Sequence, residues 1–118
     1  MGQLVSLVDH RRRLLLLHFS RSELNSLLGL YSSRVIKGEW RDYAISHGPN
    51  MARFSIYRNS QDRPLFTITK IASDNKVLPH RVGQSRFVLA NGHKCLRQGN
   101  SLRDVLSVFE QPLRLISR

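Results

Sequence analysis

The chain has 118 residues, a hydrophobic fraction of 41% and one cysteine. That suits a single globular domain with its own core, and it excludes wholesale disorder and an intramolecular disulfide. Nineteen Lys and Arg face eight Asp and Glu, a formal net charge of +11, so the partners to consider first are polyanions: nucleic acid, an anionic membrane surface or an acidic protein.

Residues 1–13 read as a flexible basic arm, with a short apolar stretch at Leu4–Val8 and then Arg11, Arg12 and Arg13. The four leucines at 14–17 are too few for a signal peptide's apolar region. No run approaches the roughly 18 apolar residues that span a bilayer. With a lone Cys95 this leads us to expect a cytoplasmic protein without a membrane partner.

Leu14–Phe19 reads as a strand. Ser20 and Glu23 then form an S-x-x-E capping box, flanked by Phe19 and Leu24 at the positions of a hydrophobic staple. Leu24, Leu27, Leu28, Tyr31, Val35 and Ile36 recur at helical spacing, and Lys37 and Gly38 supply an ending. This predicts a helix over 20–37.

Beyond Gly38 the period falls to two. Strands are predicted at Tyr43–His47, Met51–Arg58 and Leu65–Ile71, separated by the turns Gly48-Pro49-Asn50 and 59–64. A long polar loop covers 72–85. Arg86–Ala90 and His93–Arg97 flank Asn91-Gly92, the signature of a type I′ hairpin. Ser101, with Asp104 three residues on, opens a second helix carrying Leu102, Val105, Leu106, Val108 and Phe109, which Pro112 stops.

The fold expected is α+β: an antiparallel meander of about five strands, with an N-terminal and a C-terminal helix on one face. The single domain spans 14–110 and a tail follows at 111–118. The core draws on Phe54, Ile56, Phe66, Ile68, Phe87, Leu89, Leu96 and the helix stripes.

The run "SRSELNSLLGLYSSRVIKGEWRDYAI", followed by "ARFSIYR", "PLFTITK" and "LRDVLSVFE", resembles an alphaproteobacterial family known as domain of unknown function 2794. The resemblance covers about residues 18–110, and Gly38–Tyr43 is its most specific part. It implies a bacterial protein and assigns no activity, so every site below is read from the residues themselves.

Catalytic and metal chemistry find little support. The five histidines lack zinc-ligand spacing, and no phosphate-binding loop is present. His93 and Cys95 are expected on one strand face, but no oxyanion donors accompany them, and an inert thiol is the better reading. We therefore expect a non-enzymatic protein without cofactors or metal.

Two surfaces remain. Trp40, Arg41 and Tyr43 sit between a helix end and a strand. They read best as a structural corner with Trp40 as its plug, and next as a protein-interaction surface. The sheet face opposite Phe54 and Ile56 is expected to carry Arg53, Ser55, Tyr57, Thr67, Thr69, Arg86, His93 and Arg97. Residues 51–100 hold nine basic residues against Asp62 and Asp74. If uncovered, that face is a basic platform for nucleic acid: Arg53, Arg58, Arg86 and Arg97 on phosphates, Tyr57 stacking a base, and Arg11–Arg13 reaching along the backbone. An ordinary solvated antiparallel face would look the same in sequence. A homodimer through a sheet edge is a further expectation.

Overall fold

The computed structural model describes residues 16–59, 63–72 and 85–110. The arm with Arg11–Arg13, most of the 72–85 loop and the tail lie outside them. Residues 16–19 are not a strand. Their one backbone tie to the sheet is the Leu17 N–H donating to the Gly48 carbonyl at 2.9 Å.

Helix α1 spans Arg21–Ile36 and is closed at both ends by local chemistry. At its start the Ser20 hydroxyl accepts from the Glu23 N–H, and the Glu23 carboxylate accepts from the Ser20 N–H. At its end Gly38 takes φ +77°, a conformation that costs residues with a Cβ. The Gly38 N–H donates to the Val35 carbonyl and the Glu39 N–H to that of Arg34, completing a Schellman motif. The apolar stripe stops short of the helix end. Leu27 is buried and Leu24, Leu28 and Tyr31 lie against the core, but Val35 is 38% and Ile36 85% exposed.

Five strands follow: β1 (Asp42–His47), β2 (Met51–Tyr57), β3 (Phe66–Ile71), β4 (Arg86–Asn91) and β5 (Lys94–Gly99). They form one antiparallel sheet in chain order, a meander in which sequential strands are neighbours. A short helix α2 (Leu102–Leu106), N-capped by Ser101, runs into a 3-10 turn at Ser107–Glu110. The α+β architecture is thus as the periodicities indicate.

Register fixes the two faces. Ile45, Phe54, Ile68 and Leu89 align across β1 to β4, and with Ala52, Ile56 and Phe87 they make the inner face, covered by α1, α2 and the 3-10 turn. The core also takes in Phe19 and Trp40, and Val105 and Phe109 close it.

One lysine belongs to this inner face. Lys70 lies two residues past Ile68 and is only 9% exposed. Its ammonium donates to the His18 carbonyl at 2.9 Å and to Glu23 Oε1 at 2.8 Å. Glu23 therefore caps α1 and neutralises a buried cation with the same oxygen, tying the helix start to the sheet.

The β4–β5 hairpin corrects two sequence expectations. Asn91 pairs with Lys94, so the two central residues are Gly92 and His93 rather than Asn91 and Gly92. Gly92 has φ +60° and no described non-glycine residue has positive φ, the pattern of a II′ turn with glycine first. His93 thus occupies the turn rather than the strand it was expected to share with Cys95.

A register shift then follows: Cys95 opposes Ala90, yet Arg97 opposes Leu89. Leu96 is the extra residue of a β-bulge, and such an insertion reverses the alternation beyond it. Arg97 accordingly turns to the inner, helix-covered side. Its guanidinium donates to the Ser107 hydroxyl at 3.0 Å.

Candidate nucleic-acid interface

The outer face is built from the alternate residues of the same strands. Across one row stand Ser46, Arg53, Thr69, Val88 and Gln98, and across the next Ala44, Ser55, Thr67, Ala90 and Cys95. The side chains of the second row are small and neutral, so that part of the face is low and uncharged, and no described element lies over it.

Charge gathers at one end of it. Arg53 and Arg86 stand near the end where β2 and β4 begin. Each is held by a neutral neighbour: Arg53 Nε donates to Thr69 Oγ1 at 3.2 Å, and Arg86 Nη2 to Gln98 Oε1 at 2.6 Å. A neutral acceptor orients a guanidinium without cancelling its charge. Arg58 lies just past the end of β2, on the alternation parity of Phe54 and Ile56 rather than that of Arg53, and it is exposed, as are Arg41 and Arg63. The Arg41 N–H donates to the Tyr57 carbonyl, and the Leu65 N–H to that of Ile56, which brings the start of β1, the end of β2 and the approach to β3 together. Five residues of strand separate Arg53 from Arg58, about 17 Å.

Tyr57 lies on the outer face at the opposite end, half-buried and opposite Asp42. Among the described residues it has no aromatic neighbour there, so it offers a single stacking surface beside a carboxylate. Arg97, which sequence reasoning placed with this set, is spent on Ser107. Arg63, which reads as part of a polar turn, is exposed two residues before Leu65, whose N–H donates to the Ile56 carbonyl.

The Trp40 corner is a packed structure. Trp40 is 3% exposed. Its ring meets Phe109 edge-on at 5.3 Å between centroids and lies 6.0 Å from Phe66. The Arg34 guanidinium covers it at 5.7 Å and is fixed by Glu39 Oε1 at 2.7 Å and by the Phe109 carbonyl. That hydrogen bond to Arg34 holds the Glu39 carboxyl below its ordinary pKa. Burial, with Asp42 and Tyr43 adding to it, raises that of the Tyr31 hydroxyl. Trp40 is therefore a plug and offers no surface to a partner. Arg41 and Tyr43 are exposed.

His18 and His47 also meet, with ring centroids 4.3 Å apart. Partial burial, and next the neighbouring imidazole, lower the His47 pKa. Among the described residues no group of three or more His, Cys, Asp or Glu could hold a metal ion, and no helix is long and apolar enough to cross a membrane.

Fold and face together define a basic α+β module: a five-stranded antiparallel meander covered by helices on one side and bearing the exposed Arg53 and Arg86 on the other. The chain belongs to the family described as "Protein of unknown function (DUF2794)", whose model matches residues 17–106. No curated protein and no solved structure matches it.

Proposed function

We propose that this protein is a non-enzymatic, cytoplasmic nucleic-acid-binding module acting through its outer sheet face and reading phosphates rather than bases. The carrying observation is how the cations are used. Among the described residues Arg34, Lys70 and Arg97 are engaged in structure. Arg53 and Arg86 are instead held on the open face by Thr69 and Gln98, with their charge intact.

In this reading Arg53 and Arg86 bind phosphates at one end. Arg58, joined by Arg41 and Arg63, binds them at the other. The strand of nucleic acid crosses the low Ser/Thr/Ala middle. Tyr57 stacks at most one base, which argues for weak sequence preference. Arg11–Arg13 would add salt-dependent attraction.

The test is binding of nuclease-treated protein to single-stranded and duplex DNA and RNA over a salt series. Each lost phosphate contact lowers the log–log salt slope by about 0.7 for single strands and 0.9 for duplex. R53Q/R86Q should therefore flatten it by about 1.5. An unchanged affinity and slope would remove the face from the argument.

A further inference from the structure

β1 and β5 are the two edges of the sheet, and they are protected differently. An open edge presents unpaired backbone N–H and C=O groups, which proteins blunt with lysines, prolines, bulges or covering elements. β5 has three such devices: Lys94 at its start, the bulge at Leu96, and α2 docked beside it with Ser107 bonded to Arg97. β1 has none. It contains no lysine or proline, and its register with β2 is unbroken.

Apolar surface flanks this unguarded edge. Tyr43 is 39% exposed on β1, and Val35 stands on α1 one turn beyond Tyr31. The Tyr31 ring lies edge-on 4.8 Å from that of Tyr43, so helix and strand form one surface. Charge permits contact here and opposes it elsewhere. Residues 23–50 carry Glu23, Glu39 and Asp42 against Arg34, Lys37 and Arg41, a balance of zero in a chain of net +11. Two copies of a strongly basic chain approach at least cost through their neutral part.

We infer that β1 pairs antiparallel with β1 of a second copy, joining two five-stranded sheets into one of ten. Opposed residues in an antiparallel pair share a face. Inner-face Tyr43, Ile45 and His47 must therefore meet inner-face residues, and Asp42, Ala44 and Ser46 outer-face ones. Only pairings centred on Ala44 or on Ile45 satisfy this while opposing most of the strand.

Centring on Ile45 sets Tyr43 against His47 and leaves Asp42 unopposed. Centring on Ala44 sets Tyr43 against Ile45 and Asp42 against Ser46. Ser46 pairs with Arg53 inside its own sheet, so each Asp42 then enters the row of the other copy's Arg53. Apolar and charge complementarity both select the Ala44-centred, isologous pairing.

The test is the mass of the full chain in solution, by sedimentation and light scattering, without nucleic acid, so that the outcome stands apart from the polyanion reading. Twice the 13.6 kDa of the chain is expected. Ala44→Lys with Ser46→Lys should return the monomer with an unchanged circular-dichroism spectrum. Both positions are exposed on the outer face, and either centring then opposes like charges.

Ala44→Cys in a Cys95→Ser background should form an intermolecular disulfide on mild oxidation, because the Ala44-centred pairing sets the two Cα atoms within bridging distance. A monomeric wild type at its highest soluble concentration would overturn the proposal, as it would if a foreign strand occupied this edge. A dimer unmoved by the lysines, or an Ala44→Cys chain that does not cross-link, would also overturn it.

Discussion

Replacing Trp40 with alanine tests the corner most directly. The side chain is 3% exposed and meets aromatic rings and a guanidinium, so its contribution is burial and packing. Truncating a buried tryptophan costs about 3–5 kcal/mol, combining lost transfer energy with the cavity left behind. The aromatic contacts with Phe109 and Phe66 and the cover of Arg34 place the site at the upper part of that range.

A domain of this size has a total stability of about 5–15 kcal/mol. At about 4–8 °C per kcal/mol, the melting temperature should fall by roughly 15–40 °C. Trp40 is the chain's single tryptophan, so the variant must be followed by circular dichroism in urea. The wild type supplies an independent check, since its fluorescence should be blue-shifted and poorly quenched by acrylamide. A loss below about 0.5 kcal/mol, the ordinary size of a surface change, or quenching equal to that of free indole, would refute the plug.

Three further outcomes follow from the same geometry. Glu23→Ala removes a capping box and strands a buried ammonium. It should cost about 2–4 kcal/mol in urea unfolding, more than a cap alone, while the double variant Glu23→Ala/Lys70→Met should recover part of that loss. The folded-state pKa of His47 lies below its ordinary value of 6.5, so the native state binds fewer protons than the unfolded chain. Stability should be complete above that value and fall as the pH drops through it toward 5, and His47→Gln should flatten the decline seen in melting curves. Gly38→Ala forces a Cβ into the left-handed region at φ +77° and should lower stability by about 1–2 kcal/mol, measured as a shift of the urea midpoint without a change of slope.

The parts of this protein legible in sequence are those governed by residues near one another along the chain. The capping box joins Ser20 to Glu23, and the glycine ending sits within a few residues of Arg34. Strand alternation needs only the next residue but one, so the helix, the five strands and the hydrophobic side of the meander could be written down beforehand. The assignment of individual side chains to roles could not.

Lys70 reads as one more solvated cation until the fold brings Glu23, 47 positions away, to its ammonium. Arg34 reads as a surface arginine until Phe109, 75 positions on, offers it a carbonyl. Arg97 was placed on the phosphate-binding face because alternation is assumed unbroken, and one inserted residue, Leu96, turned it inward. A bulge leaves no mark in hydrophobic periodicity, and ion pairs between distant segments leave none in composition. Local patterns determined which elements form, whereas register and long-range packing decided which of its many arginines remain available to a partner.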